Sequence, residues 1–222
     1  MTAPVLEPTG ENLETAAECI DDGGVVVAPS DTNLALTLDP WQSDAVDRAY
    51  AAKGRPEHEP LTLFARDPDA WREYATHDDP EHVHSLVESF WYGPLNLVLL
   101  AAGPALHADD RLTRDGTVSI GCLSNPTWRD LAARVDGPVA MTSANESGTV
   151  DDDTLVGVEF AREHVGGSLD YHLDGSAQGT TRASTILDLT DGPEYSGEAT
   201  SRRPTWRMRA TDWARSRDWP NR

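Results

Sequence analysis

Ala52-Lys53-Gly54-Arg55-Pro56 contains the only lysine of the 222-residue chain, placed directly after a helical pattern and before a turn. Lysine is among the commonest residues of soluble domains, so its loss everywhere else is unusual. Arginine carries its charge on a planar fork, whereas lysine offers a compact point charge with three donors that suits phosphate. Lys53 is either a chance survivor or a residue that arginine cannot replace, and the second interpretation predicts an anion site here.

Helix-like and strand-like patterns alternate on both sides of this stretch. The predicted helices cover residues 11–22, 43–52, 81–91, 128–135 and 154–164, with Phe90 and Trp91 on the apolar stripe of the third helix. The predicted strands cover residues 25–28, 34–38, 61–65, 95–101, 117–122, 138–142 and 184–189. No repeat and no linker divides the pattern, so we expect a single mixed α/β domain.

The chain is strongly acidic, with 38 Asp and Glu against 18 Lys and Arg and a formal net charge of −20. Such a charge destabilises a compact fold in dilute buffer, but at molar salt a Debye length of about 3 Å screens the repulsion. The acidic residues are spread through segments with periodic apolar residues, which argues against an acidic tail. We interpret the composition as that of a halophilic protein, and it makes broad RNA affinity improbable.

The location of the protein follows from two patterns that the sequence lacks. No segment has the apolar length of a membrane span, and the N-terminus has neither the basic start nor the apolar run of a signal peptide. We therefore expect a cytoplasmic protein without a membrane partner.

Cysteine and histidine give no metal-binding pattern. Cys19 and Cys122 match no metal spacing, and we expect both to be small buried residues in a reducing compartment. His82 and His84 are two positions apart, so on a helix they point to different faces and indicate a surface pair. We predict no metal held by side chains.

Residues 205–222 form a tail in which Trp206, Trp213 and Trp219 stand among arginines. We expect this tail to pack against the domain of residues 1–204 or against a second subunit. The alternative is a nucleic-acid contact through tryptophan and arginine stacking.

Three polar clusters follow or precede predicted strands. They are Pro29-Ser30-Asp31-Thr32, Lys53-Gly54-Arg55-Pro56 and the segment 142–148, which is rich in small hydrogen-bonding residues. Each cluster alone is also typical of turns and helix caps. Together they indicate an anion-binding cleft.

These clusters belong to a series of motifs that resembles the YrdC-type threonylcarbamoyl-AMP synthase family over roughly residues 10–204. The series is Pro29-Ser30-Asp31-Thr32, Lys53-Gly54-Arg55-Pro56, Phe90-Trp91-Tyr92-Gly93-Pro94-Leu95, Thr142-Ser143-Ala144-Asn145 with Ser147-Gly148, and Ser184-Thr185-Ile186-Leu187-Asp188-Leu189. The resemblance implies one YrdC-like α/β domain, with a twisted, largely open mixed sheet and helices around a concave, positively lined cavity. It also implies an enzyme that condenses L-threonine, bicarbonate and ATP into threonylcarbamoyl-AMP and pyrophosphate, for threonylcarbamoyladenosine in tRNA.

The resemblance assigns a role to each matching position. Lys53 and Arg55 would be the catalytic cations against the ATP phosphates, with Mg²⁺ bridging those phosphates. The remaining ATP contacts would come from Thr117, Ser143, Asn145 and Arg203, and the threonine contacts from Thr32 and Ser184. A tRNA or a tRNA-modifying complex is a further partner that the resemblance implies.

The sequence departs from the family on the threonine side. Asn33-Leu34-Ala35-Leu36 replaces the usual Val-Tyr-Gly-Leu, and Phe64 replaces a histidine of many archaeal members. Gly121 stands where the family has an arginine that pairs with the threonine carboxylate, a contact worth about 1.5–3 kcal/mol. Either Arg114 or Arg182 substitutes for it, or the chain handles another carboxylate, or it is a noncatalytic paralogue that binds nucleotide or RNA in the same cavity.

Overall fold

The computed structural model describes residues 3–148, 156–165, 169–175 and 184–190. In these ranges the helices are α1 Gly10–Asp21, α2 Ser43–Lys53, α3 Trp71–Tyr74, α4 Pro80–Phe90, α5 Pro126–Ala132 and α6 Val158–Val165. The strands are β1 Val5–Leu6, β2 Val26–Pro29, β3 Leu34–Leu38, β4 Thr62–Phe64, β5 Ala75–Thr76, β6 Gly93–Ala101, β7 Thr113–Arg114, β8 Thr117–Cys122, β9 Val139–Ser143, β10 Tyr171–Leu173 and β11 Thr185–Asp188. Three short 3-10 turns lie at Pro68–Ala70, Gly103–His107 and Asp110–Leu112.

The eleven strands of the described ranges form one mixed sheet. Its main order is β1-β10-β2-β3-β9-β4-β8-β6-β11, while β5 pairs with β6 and β7 pairs with β8. The pairs β1/β10, β10/β2, β4/β8 and β6/β11 are parallel, and the other pairs are antiparallel. The prediction of a mixed sheet in an α/β domain is confirmed.

Two hydrophobic cores lie on opposite faces of this sheet, because successive strand residues point to opposite sides. On one face, α1 and α5 cover β2, β3 and β9, and the buried residues include Leu13, Ile20, Val26, Ala35, Trp128, Leu131 and Met141. On the other face, residues of α2, α4 and α6 join a larger core that includes Val27, Leu36, Val46, Leu63, Val83, Leu97, Ile120, Ala140 and Ala161. On the first face, no helix of the described ranges extends that core over β6 and β11.

The position of Lys53 is set by the end of α2. Gly54 adopts the left-handed conformation with φ 55° and ends the helix, because glycine has no Cβ to oppose that geometry. Lys53 is therefore the last helical residue, and its chain direction changes immediately afterwards.

Several sequence predictions needed correction. The helix predicted over residues 81–91 ends at Phe90, whose side chain is exposed, while Trp91 is buried beyond the helix. Cys122 is buried as predicted, but Cys19 is only half-buried. The short strands β1, β5, β7 and β10 were not predicted, since two or three residues are too few to show periodicity.

The longest helix of the described ranges, α1, has 12 residues. No helix there is long and apolar enough to cross a bilayer. The predicted tail 205–222, together with Arg182 and Arg203, lies outside the described residues.

Candidate functional site

Lys53 connects two of the three polar clusters. Its side chain is buried, with 1% of the residue exposed. The Lys53 Nζ donates hydrogen bonds to the backbone carbonyl oxygen of Asn145 at 2.6 Å and to that of Ser143. In return, the Ser147 backbone N–H donates to the Lys53 carbonyl oxygen at 2.8 Å. The lysine therefore holds the 143–147 segment against the end of α2.

The protonation of this lysine is poised near neutrality. Burial, with a smaller contribution from the nearby Arg55 charge, lowers the pKa of Lys53 to about 7, while Glu59 acts in the opposite direction. The two carbonyl acceptors favour the ammonium, but a neutral amine also has the two hydrogens needed to serve them. An anion placed beside Nζ would raise the pKa and draw a proton onto it.

Arg55 is held within its own turn. Its Nε donates to the Glu59 carbonyl oxygen at 2.9 Å, a terminal nitrogen donates to the Pro60 carbonyl oxygen at 3.0 Å, and Glu59 also forms an ion pair with it at 3.3 Å. Tyr50 supports the same turn, since its hydroxyl donates to the Glu59 carbonyl oxygen at 2.7 Å. These bonds fix the guanidinium just before β4 begins.

The strand register brings the predicted ATP contacts to one edge of the sheet. Thr62 of β4 lies opposite both Met141 of β9 and Ser119 of β8. The start of β4, the end of β9 and the start of β8 therefore share one edge. The predicted contacts on this Lys53 edge are Lys53, Arg55, Thr117, Ser143 and Asn145.

Two of these contacts differ in how their side chains are engaged. The Thr117 hydroxyl donates to the Arg114 carbonyl oxygen at 2.7 Å, so it is used within the β7–β8 turn. Asn145 is buried and its Nδ2 donates to the Glu146 carbonyl oxygen at 2.8 Å. Its Oδ1 has no hydrogen-bond partner among the described residues. Asn145 thus retains a buried acceptor beside the lysine.

The predicted threonine contacts, Thr32 and Ser184, lie at different ends of the sheet. Thr32 is buried in the turn after β2, and the carboxylate of its neighbour Asp31 accepts the backbone N–H groups of Ser124 at 2.9 Å and Asn125 at 2.7 Å. Both donors follow the end of β8. Ser184 immediately precedes β11, which runs parallel to β6 and begins near the end of β8 by register. By register the turn adjoins the Lys53 edge, since Ala35 of β3 pairs with Ser143 of β9, and the Asp31 carboxylate reaches from it to the residues after β8.

A partly uncovered face lies between these two groups. On β4, β8 and β6 it presents two cross-strand rows, Thr62-Ser119-Val98 and Phe64-Gly121-Asn96, which we call the open face. In the first row, the Thr62 hydroxyl donates to the Ser119 hydroxyl at 3.2 Å. The second row continues to Ile186 of β11, which is exposed.

Gly121 has no room for a side chain. A Cβ built on it would lie 2.5 Å from Asn96 Oδ1 and 2.8 Å from Phe64 Cε1, both too close for a stable contact. The neighbours on each side therefore occupy the space that a residue 121 side chain would fill. Asn96 Oδ1 is buried and has no hydrogen-bond partner in the described ranges, so this centre of the open face keeps an unused acceptor.

The structure gives no support to Arg114 as a substitute for the missing arginine. Arg114 is exposed, forms an ion pair with Asp115 at 3.6 Å and lies opposite Thr117 at the start of β8. Gly121 is four residues further along that strand, a separation of about 13 Å at about 3.3 Å per residue.

Asn96 is a site residue that the sequence analysis missed. It stands between Leu95 and Leu97 in an otherwise apolar strand, and a polar residue at that position was the available signal. Its importance follows from register, which the sequence does not reveal, because only pairing with β8 places it beside Gly121.

Side chains that could bind a metal are dispersed in the described part of the chain. No group of three or more His, Cys, Asp or Glu side chains there could hold a metal ion. His84 instead lies 3.3 Å from Glu88 on the surface of α4.

Comparison with known proteins identifies the family. The Sua5/YciO/YrdC family model, described as telomere recombination, matches residues 18–196, so the chain belongs to this family. A threonylcarbamoyl-AMP synthase of Pseudomonas putida is 32% identical over 81% of this chain and 94% of its own length. The enzyme of the same name from Bacillus subtilis is 31% identical over 84% of this chain, which spans only 52% of that protein.

Solved structures agree with this family and its fold. Sua5 of Pyrococcus abyssi in complex with L-threonine superposes with a TM-score of 0.75 and 27% identity. That match covers 87% of this chain and 56% of the archaeal chain. Escherichia coli YciO, with a TM-score of 0.71 and 21% identity over 86% of this chain and 92% of that one, has the same fold.

We predict that Gly121→Ala lowers the free energy of unfolding by about 1–3 kcal/mol, the usual cost of overpacking a core. Gly137→Ala is the matched control, since a Cβ there meets no atom within 4 Å. Denaturant unfolding in concentrated KCl measures both. Adding Asn96→Ala to Gly121→Ala should recover part of the loss, and equal stability of the two glycine variants would contradict the crowding at Gly121.

We further predict that the wild-type protein becomes more stable as pH rises from 7 to 8.5. The folded state, in which the pKa of Lys53 is about 7, binds fewer protons there than the unfolded state with a pKa near 10.5. The slope approaches about 1.4 kcal/mol per pH unit and disappears in Lys53→Met. Denaturant unfolding across this pH range checks the difference between the two proteins, and parallel curves would exclude the shift.

Proposed function

We propose that this protein is an L-threonylcarbamoyladenylate synthase, which condenses L-threonine, bicarbonate and ATP into threonylcarbamoyl-AMP and pyrophosphate. The observation that carries the proposal is the contact of Lys53 with the carbonyl oxygens of Ser143 and Asn145, since it joins the two motifs assigned to ATP at one sheet edge. Membership of a family whose relatives are named threonylcarbamoyl-AMP synthases supports the same assignment.

In the proposed reaction, the threonine amine and bicarbonate first form a carbamate with loss of water. A carbamate oxygen then attacks the α-phosphorus of ATP, and the bond to the bridging oxygen of pyrophosphate breaks. Lys53 and Arg55 are the proposed catalytic cations, because their charge would offset the charge that develops on the departing pyrophosphate. Thr117, Ser143, Asn145 and, beyond the described residues, Arg203 would complete the ATP contacts.

Catalysis of this kind needs little from a general base. The carbamate oxygen is already anionic, so holding it in line with the leaving group supplies much of the acceleration. We propose that Mg²⁺ accompanies ATP and is held by the phosphate oxygens, since the described residues contain no cluster of three metal-binding side chains. No step is assigned to a protein-bound metal.

The amino-acid side of the proposed site lies toward Thr32 and Ser184. There the centre of the open face is neutral, because Phe64 and Asn96 fill the space beside Gly121. Threonine would therefore be held by hydrogen bonds or by an arginine beyond the described residues, such as Arg182. We expect weaker binding of the amino acid than an arginine at position 121 would give.

A second candidate function follows from the same crowding. A chain that cannot place an arginine at position 121 could retain nucleotide or RNA binding in the cavity without the synthase reaction. The retained Lys53 and Arg55 fit either function, and only turnover separates them.

The proposed setting is the cytoplasm of a salt-loving microbe. There the product would pass to the proteins that modify tRNA, which makes tRNA or a modification complex the proposed partner. The net charge of −20 is consistent with that solvent.

We expect pyrophosphate release from ATP and bicarbonate in concentrated KCl to require L-threonine, with threonylcarbamoyl-AMP detected by mass spectrometry. Lys53→Ala should reduce turnover at least 100-fold. The phosphates lose a cationic partner and the 143–147 segment loses the contact that holds it, and the two losses together should raise the activation free energy by about 3 kcal/mol or more. Arg72→Gln, which removes an exposed arginine outside the proposed site, should turn over like the wild type.

The turnover assay distinguishes the two candidate functions. ATP binding without threonine-dependent release would favour the noncatalytic candidate, whereas full activity of a folded Lys53→Ala would remove the lysine from the mechanism. Near-ultraviolet circular dichroism establishes that each variant is folded.

We also predict that ATP binding takes up a proton between pH 7.5 and 8, above the pKa of about 7 of the free Lys53. The triphosphate charge beside Nζ raises that pKa, so the uptake approaches one proton per ATP bound. Calorimetric titrations in buffers of different ionisation enthalpy measure it. Lys53→Met has no amine to protonate, so it should take up no proton for each ATP that it binds, and equal values for the two proteins would count against direct contact.

A further inference from the structure

The arginines of the described ranges fall into two groups. Those with a carboxylate oxygen within 4.0 Å are Arg48, Arg55, Arg72, Arg111, Arg114, Arg134 and Arg162. Only Arg66 and Arg129 lack such a partner among the described residues. In a chain with more than two acidic residues for each basic one, an arginine without a carboxylate is the exception.

Both exceptions line the same hollow. It has a volume of about 580 Å³ and is lined by Arg66, Asp67, Ser124, Pro126, Arg129, Asp130 and Ala133, and we call it the Arg66–Arg129 hollow. Arg66 follows the end of β4, and Ser124 follows the end of β8. Since β4 and β8 are parallel neighbours, the hollow lies outside the carboxyl ends of two parallel strands, where open α/β sheets commonly bind ligands.

The hollow is separate from the proposed ATP contacts. Those contacts lie at the Lys53 edge, where β4 and β8 begin, whereas the hollow lies where both strands end. It uses the exposed residues Arg129 and Asp130 of α5 and the exposed Ala133 directly after it, while Trp128 and Leu131 of the same helix face the core.

Arg129 is already held in place without an ion pair. Its guanidinium carbon lies 4.1 Å from the ring centroid of Tyr92, a cation–π contact that restricts the side chain without bringing a carboxylate oxygen within 4.0 Å of it. A guanidinium that is fixed in this way loses less side-chain entropy when it binds an anion. Arg66 supplies a second cation to the lining of the hollow.

The other lining groups indicate which chemical class of anion fits the hollow. Asp67 and Asp130 form no ion pair with either arginine in the described structure, so their carboxylates can accept hydrogen bonds from hydroxyl groups. Ser124 adds a hydroxyl at the rim. A simple anion would use the two arginines alone, whereas a phosphate ester with free hydroxyls would use the arginines and the carboxylates together.

We propose that the Arg66–Arg129 hollow is a second ligand site, which binds a small hydroxylated phosphate ester such as the ribose phosphate part of a nucleotide. The phosphate lies between the two guanidinium groups, and the hydroxyls face Asp67 and Asp130. This site is separate from the nucleotide contacts near Lys53.

The test uses the full-length ¹⁵N-labelled protein in the lowest KCl concentration at which it stays folded. Ribose 5-phosphate, which lacks an adenine for the other site, is titrated while the backbone amide signals are followed. We expect saturable shifts at Ser124 and Arg129. Arg66→Gln and Arg129→Gln should each weaken binding roughly tenfold or more, as the loss of a charge-assisted hydrogen bond predicts.

Arg72→Gln is the matched control, since it removes one exposed arginine that already has a carboxylate partner. Its affinity should equal that of the wild type. Shifts without saturation, shifts confined to the Lys53 edge, or equal losses in all three variants would overturn the proposal.

Titration with inorganic phosphate forms the second arm of the test. It should bind more weakly than ribose 5-phosphate, because it has no sugar hydroxyls for the carboxylates. Equal affinity for the two probes would overturn the assignment to a phosphate ester. Since neither arm measures turnover, the outcome does not depend on the proposed synthase activity.

Discussion

The buried ammonium of Lys53 is the interaction on which the arrangement of the site depends. It lies at the end of a helix, in contact with carbonyl oxygens that follow a strand of the central sheet. Removing a cation from water is costly, and here two backbone acceptors offset part of that cost. The same contacts set the distance between α2 and the end of β9, so one side chain links binding chemistry to the packing of the domain.

This dependence favours the interpretation that arginine cannot replace the remaining lysine. The space beside Ser143 and Asn145 holds a single nitrogen with tetrahedral donors, whereas a guanidinium is wider, flat and hard to deprotonate. Elsewhere on the surface, arginine performs the general tasks of a cation equally well, as its ion pairs with nearby carboxylates show. The retention of a single lysine is thus consistent with a steric and electrostatic requirement at position 53.

The two sides of the open face differ in how far their chemistry follows the family. At the Lys53 edge, Lys53 contacts the Ser143 and Asn145 carbonyl oxygens, which joins two of the motifs. Around Gly121 the space is filled by Phe64 and Asn96, so a change at one of the three positions requires changes at the others. Such coupled packing keeps the sheet intact while the charge at its centre is altered, and it explains how an arginine can be absent without leaving a void.

Much of the fold was predictable because its long elements carry clear periodicity, as α1, β3 and β8 show. The proximity of Lys53 to the 143–147 segment was predictable only because both belong to the same series of family motifs, since their contact spans 90 residues of sequence. Asn96 and the hollow at Arg66 and Arg129 could not be found in this way. Their meaning arises from strand register and from which arginines find carboxylates, and both are properties of the folded chain.

The pairing of most described arginines with carboxylates also affects how fast ligands arrive. Once those cations are neutralised locally, the field at a distance is that of the excess acidic residues, and it repels an approaching nucleotide. Salt weakens this repulsion, so the association rate of an anionic ligand should increase with ionic strength, the reverse of the usual electrostatically steered encounter. A high salt concentration would then not only preserve the fold but also increase the rate at which an anionic ligand reaches the site.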